Sequence, residues 1–181
     1  MNNMNEDSLV KKCVQGSRKA QKELFDRYAP KMLAVATRYI GDHERAEDVL
    51  QDSFVKVFKH LANFKLAGSL EGWIRKIVVN TALDQLRKEK KYKTDIELDS
   101  VNFEIGQSSD AEEMMQADFL LDLVKQLPEG YRTVFNLFAI EGYSHKEIAD
   151  LLNVSENTSK SQYSRARGAL VKALEKYNVE R

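Results

Sequence analysis

Two cations and two hydroxyls near the C-terminus have the types and spacing that read base edges. Lys160, Ser161, Ser164 and Arg165 stand at i, i+1, i+4 and i+5, so a helix gathers them on one side. Lys and Arg donate to guanine, each good contact being worth about 1–3 kcal/mol of discrimination, and serine reads less strictly. Asn157, Thr158 and Arg167 fall where such a helix runs past phosphates, contacts that position a protein without specifying sequence.

The elements needed to present these groups are legible around them. Ser144 and Glu147 have capping-box spacing, which predicts a helix from His145. Ile148, Leu151 and Leu152 give that helix an apolar stripe, and Ala149 permits a close crossing. Asn153 tolerates the left-handed conformation that ends a helix, and Ser155 can N-cap the next. In that second helix Ser159, Tyr163, Ala166 and Leu170 share the inward face. Two short helices around a tight turn, the second cationic, form the pattern of a helix-turn-helix whose second helix enters a DNA major groove. An ordinary helical hairpin with a solvated polar face has the same local pattern.

Two further groups of residues invite a function. In the segment HLANFKLAGSLEGW, Phe64 and Trp73 bracket small residues beside Lys65, Ser69, Arg75 and Lys76. Aromatics among cations suit single-stranded nucleic acid, whose bases stack while its phosphates pair. Asn80, one helical repeat further on, can read a base edge. Trp73 also has the spacing of a core residue. Upstream, Glu44, Glu47, Asp48, Gln51 and Asp52 recur at helical neighbour spacing, away from their helix's apolar stripe. That negative shoulder can dock a basic partner, or be simply solvated.

Catalysis finds no support. His43, His60 and His145 are scattered without metal-ligand spacing, and the chain has neither a glycine-rich phosphate loop nor a nucleophile elbow. Its carboxylates lie at helix starts, where they complement the dipole, or in a polar linker. Neither an enzyme, a metal site nor a cofactor is expected.

The 181 residues include only two prolines and eight glycines, and 43% are hydrophobic, which points to a mostly helical protein with a real core. No apolar run reaches the roughly 20 residues of a membrane span. The N-terminus, MNNMNEDSLVKKC, lacks the order of a secretion signal, and a lone Cys13 fits a reducing cytoplasm. Net charge is zero, yet it is unevenly spread. Leu70 to Lys93 carries seven cations against three acids; Thr94 to Val124 carries nine acids and no Lys or Arg; cations dominate again from Ser155. Local phosphate binding needs such asymmetry.

Periodicity predicts a short lead helix from about Asp7 to Gln15, then a helix capped by Ser17 and ended by Gly41, with Pro30 inside it. Its apolar residues are Leu24, Phe25, Tyr28, Met32, Leu33, Val35, Ala36 and Tyr39. Asp42 caps the next, with Ala46, Val49, Leu50, Phe54, Val57, Phe58 and Leu61 on its stripe. After a loop from Ala62 to Gly68, Ser69 caps a third helix to about Lys91, with Trp73, Ile74, Ile77, Val78, Ala82, Leu83 and Leu86 inward. Helices follow near Ala111 to Leu127 and about Glu129 to Glu141. Only Lys93 to Ser109 lacks helical periodicity, which suggests a linker. The expected fold is all-α: two small helical domains, 1–92 and 111–181, joined by an acidic linker at 93–110, the C-terminal domain a helix-turn-helix.

Three blocks in order, AEDVLQDSFVKVFKHLANF, GSLEGWIRKIVVNTALDQLRK and LPEGYRTVFNLFAIEGYSHKEIADLLNVSENTSKSQYSRARGAL, resemble extracytoplasmic-function (ECF) sigma factors of the sigma-70 family. The resemblance implies a cytoplasmic subunit that gives bacterial RNA polymerase its promoter specificity and helps melt the DNA. By position, Glu47, Asp48, Gln51 and Asp52 hold the clamp coiled coil of the largest subunit of core RNA polymerase. The loop Ala62 to Ser69 receives a flipped base of the −10 element. Asn80 and the basic helix meet the duplex upstream, while Lys160, Ser161, Ser164 and Arg165 enter the −35 element. The linker threads the RNA-exit region, and an anti-sigma factor is implied as a further partner, with no membrane insertion. Asn157 departs from the glycine of many members, Lys160 from the arginine of some, and Ser164 stands where a larger side chain could fill the groove. Two other readings remain: a free-standing helix-turn-helix regulator that binds an operator as a dimer, and a helical adaptor. The shoulder and the aromatic loop disfavour the first, and the basic blocks disfavour the second.

Overall fold

Several helix boundaries follow from a residue that satisfies backbone groups a helix leaves open. The computed structural model describes residues 5–65, 68–92 and 116–179. The linker expected at 93–110, Leu66 and Ala67 of the expected loop, and 111–115 of the next helix lie outside the described residues. The chain divides into two compact units, Met1–Tyr92 and Lys93–Arg181, and every regular element among the described residues is helical.

In the first unit α1 is Glu6–Val14, α2 Arg18–Ile40, α3 His43–His60 and α4 Leu70–Tyr92, with one 3₁₀ turn at Leu61–Asn63. Ser17 Oγ accepts from the Ala20 amide at 3.4 Å to start α2, and Asp42 Oδ1 accepts from the Arg45 amide at 2.9 Å to start α3. Between them Gly41 takes φ 83°, a left-handed conformation that costs glycine little and lets the chain reverse sharply. Helices α2, α3 and α4 pack on one another and α1 lies across α2.

The core of this unit joins Leu24, Met32, Val35 and Tyr39 of α2, Val49, Phe54 and Val57 of α3, and Ile74, Val78 and Leu83 of α4. Ser53 is fully buried within α3 and donates back to the Val49 carbonyl at 2.6 Å, so its hydroxyl needs no partner from the facing helices. Leu9, Val10 and Cys13 seat α1, and the Tyr28 hydroxyl donates to Glu6 Oε1 at 2.5 Å. Burial, then that carboxylate, pushes the Tyr28 phenol up to about 12. Phe25, Leu33, Phe58, Trp73 and Ile77, expected inside, are half-buried. Leu61 packs from the 3₁₀ turn rather than from α3. An apolar stripe wider than the neighbouring helices leaves its margins uncovered.

In the second unit α5 is Gln116–Gln126, α6 Glu129–Phe135, α7 His145–Leu152 and α8 Glu156–Val179. The α-helix expected to reach Glu141 stops at Phe135 and continues as one π-helical turn, Asn136–Ile140, in which the Glu141 amide bonds the Asn136 carbonyl at 2.9 Å. A cluster of Phe119, Leu123, Val124, Leu127, Tyr131, Ala166 and Leu170 ties α5, α6 and α8 together. Arg132 is buried, and its Nη1 donates to the carbonyls of Lys125 and Leu127 at 2.8 and 3.3 Å. It thereby satisfies acceptors that the end of α5 leaves open.

Candidate nucleic-acid interface

The helix-turn-helix has its boundaries set by residues close together in the chain. The Ser144 amide donates to Glu147 Oε2 at 2.8 Å, and the Glu147 amide donates to Ser144 Oγ at 3.3 Å, closing the capping box of α7. Asn153 ends α7 at φ 54°, ψ 49°. Ser155 Oγ then accepts from the Thr158 amide at 2.9 Å and starts α8. Ile148 of α7 and Ser159 of α8 are fully buried, as is Ala166 against α5 and α6, while Leu151, Leu152 and Tyr163 are half-buried.

That inward face turns the other side of α8 to solvent. Asn157, Lys160, Ser161, Ser164, Arg165 and Arg167 are exposed and Thr158 is half-buried. Lys160 Nζ sits 2.6 Å from Glu156 Oε1, and this hydrogen bond and charge hold the Glu156 carboxyl below its usual range. Ser161 Oγ donates back to the Thr158 carbonyl at 3.0 Å. Arg165 Nη1 donates to the Tyr131 hydroxyl at 3.3 Å. Behind the exposed face, His145 Nδ1 and Ser159 Oγ are 2.9 Å apart, and the imidazole stacks on Phe138 with centroids 4.3 Å apart. The π turn of α6 carries Phe138 to that position. Sequence reasoning missed both His145 and Tyr131; the one signal for His145 was Ser159, a hydroxyl on an otherwise inward-facing position.

In the first unit Phe64 and Trp73 meet with ring centroids 5.5 Å apart, both half-buried. Ser69 Oγ accepts from the Gly72 amide at 3.1 Å and so serves as the cap of α4. Lys65, Lys76 and Asn80 are exposed and Arg75 is half-buried. Trp73, Lys76 and Asn80 therefore share one face of α4, with the aromatic pair at its start.

Glu44, Glu47, Asp48, Gln51 and Asp52 are all exposed on α3. His43 Nε2 lies 3.4 Å from Glu47 Oε1. Beside this ridge an open groove of about 550 Å³ runs between α2 and α3, floored by Phe25, Ala29, Pro30, Leu33 and Leu50 and edged by Asp26, Glu47 and Gln51. The half-burial of Phe25 and Leu33 is explained by this groove. Val55, 67% exposed, continues the ridge one turn further; as an isolated apolar residue outside the stripe, it gave no sequence signal.

The chain matches known families over the elements that carry these surfaces. Residues 24–92 match Sigma-70 region 2 and residues 120–170 match Sigma-70, region 4. An ECF RNA polymerase sigma-E factor of Salmonella typhimurium is 30% identical over 173 residues, covering 90% of each chain. The chain belongs to the ECF sigma factors of the sigma-70 family. The RNA polymerase sigma-H factor of Pseudomonas aeruginosa is 29% identical over 181 residues, with 94% of each chain covered. A sigma factor of Bartonella quintana, solved in complex with an anti-sigma factor, has the same fold at 24% identity and a TM-score of 0.52, covering 85% of this chain and 96% of that one. In this sigma factor region 2 comprises most of α2 with α3 and α4, and region 4 holds the helix-turn-helix. Sigma factors direct transcription initiation by recognising promoter DNA, and this chain is one of them. No helix among the described residues is long and apolar enough to cross a membrane.

Proposed function

We propose that the three surfaces divide the work of promoter opening, with no catalytic group of the chain's own. The ridge Glu47, Asp48, Gln51 and Asp52 docks on the clamp coiled coil of the largest subunit of core RNA polymerase. Phe64, Lys65, Ser69, Trp73, Arg75, Lys76 and Asn80 engage the −10 element: Phe64 and Trp73 stack against an unpaired base while Lys65 and Lys76 pair with phosphates. In region 4, Lys160, Ser161, Ser164 and Arg165 read the −35 element, and Asn157, Thr158 and Arg167 hold its phosphates. The single observation that carries this reading is the outward face of α8, whose cations and hydroxyls are exposed while Ser159 and Ala166 are fully buried. A cytoplasmic setting and a regulating anti-sigma factor belong to the same reading, the Bartonella neighbour having been solved with such a partner. The segments 93–110 and 111–181 then act as tether and −35 reader. Mixing the purified protein with core polymerase and sequencing the transcripts made from genomic DNA tests it. A defined set of start sites sharing −10 and −35 sequences is expected; transcripts no different from those of core enzyme alone refute it.

A further inference from the structure

Tyr131 is a core residue with one end at the surface. Its ring packs with Leu127, Ala166 and Leu170 and is only 9% exposed, while its hydroxyl meets the exposed Arg165. Arg165 immediately precedes Ala166, which is fully buried. The tyrosine therefore rests on the same turn of α8 that carries the arginine, although the two are 34 positions apart in the chain.

An arginine that reads bases from an exposed helix face has many rotamers, and ordering them on binding lowers affinity. A rigid acceptor at the guanidinium removes part of that loss beforehand. The guanidinium has five N–H donors in a fixed fork, and a bidentate guanine contact uses two. One donor given to a tyrosine hydroxyl is thus compatible with base reading. The phenol ring cannot move away, because it is packed against α8 itself.

We infer that Tyr131 is a positioning residue for −35 recognition, its hydroxyl holding the Arg165 guanidinium in the orientation that meets a base edge. This rests on the reading of Arg165 as a base-contacting residue. The ring supplies core packing, whereas the hydroxyl supplies the orientation, so the two roles separate in one substitution. Tyr131→Phe keeps the ring and removes the acceptor.

The experiment uses the full chain with core polymerase and a pool of promoter fragments randomised across the −35 region, the bound fraction being sequenced. Four proteins are compared: the natural chain, Tyr131→Phe, Arg165→Ala and the double variant, with thermal unfolding checked for each. Arg165→Ala is expected to flatten the base preference at one or two positions. Tyr131→Phe is expected to weaken preference at those same positions by about threefold to tenfold, the size of one ordinary lost hydrogen bond, and to leave the others alone. The double variant should match Arg165→Ala, because a hydroxyl that acts through the arginine has nothing left to act on. A merely structural tyrosine gives an equal loss at every position, or a loss that adds to that of Arg165→Ala, and either result overturns the inference. Sharper preference in Tyr131→Phe also overturns it, since the contact would then hold Arg165 away from DNA. If Arg165→Ala flattens a position while Tyr131→Phe matches the natural chain, the inference alone falls. If Arg165→Ala flattens none, the base-reading assignment falls and takes the inference with it.

Discussion

Reversing Asp48 and Asp52 to lysine tests the docking ridge most directly. Both carboxylates are exposed on α3, four residues apart, which places them about 6 Å apart along the helix axis on adjoining turns. Exposed ion pairs are worth about 0.2–1 kcal/mol, and close charge pairs across an interface about 1.5–7 kcal/mol. Taking about 1 kcal/mol of attraction lost and about as much repulsion gained at each position, the double reversal weakens core binding by about 4 kcal/mol, roughly a thousandfold in Kd. Asp48→Asn with Asp52→Asn loses only the attraction, so about 2 kcal/mol, or roughly thirtyfold. Folding should be nearly untouched. Lysine is at least as good a helix former as aspartate, and the cation introduced four residues before Lys56 costs about 0.3–0.5 kcal/mol. The assay is titration of the labelled protein with core polymerase at low and high salt, with thermal unfolding as the control. The natural chain should bind less tightly as salt rises, and the reversed variant should lose most of that dependence. A reversed variant that folds normally and binds core polymerase as tightly as the natural chain at low salt would falsify the ridge assignment.

Three other outcomes follow from the same geometry. Arg165→Ala should lower −35 discrimination by about 1–3 kcal/mol while core polymerase affinity holds, and an unchanged promoter-selection profile counts against it. Phe64→Ala and Trp73→Ala should slow open-complex formation on duplex promoters more than on pre-melted templates; equal loss on both indicates a folding defect, which half-burial of the Trp73 ring limits to about 2 kcal/mol. Tyr28 should confer a stability that alkali removes. Its phenol is held up at about 12 while the unfolded phenol ionises near 10, so the contribution is full below pH 10 and is lost as pH rises towards 12. Tyr28→Phe lacks that ionisation, and a stability profile of the same slope in both proteins would remove the argument.

The parts of the fold that depend on near neighbours in the chain were legible. Ser17, Asp42 and Ser144 each placed an oxygen where helix amides need one, and Gly41 and Asn153 supplied the left-handed turns. The outward side of α8 followed from the 3.6-residue period alone. What escaped depends on distant partners. Arginine is by type a surface residue, yet Arg132 is buried, its guanidinium bonded to the open carbonyls at the end of α5. The π turn at Asn136–Ile140 has no periodic signature. His145 with Ser159 and Tyr131 with Arg165 pair across 14 and 34 positions, separations at which spacing carries no information. Phe25 and Leu33 have core spacing, but they floor a groove because no helix among the described residues of their unit covers them.

A lone helix-turn-helix is a poor specificity device, and this bears on the rival reading as an operator-binding regulator. One recognition helix offers a handful of side chains, and each wrong base costs only about 1–3 kcal/mol, too little to single out sites in a genome. Repressors solve this by symmetry, presenting two identical helices one helical turn of DNA apart. In the proposed reading the second reader is instead in the same chain and of a different kind: the aromatic pair beside Lys65 and Lys76, which suits unpaired bases rather than a second major groove. Unpaired bases arise only where something opens the duplex, and an acidic ridge with an apolar groove at its side has no task on DNA, whose phosphates repel it. On that proposal the first unit serves a protein partner and melted DNA at once. Tethering it to region 4 raises the effective concentration of each reader once the other has bound. Two modest contacts then multiply into promoter selectivity, which is why zero net charge over the whole chain sets no limit on how well it holds DNA: within a Debye length of about 10 Å, each surface acts through its own charges.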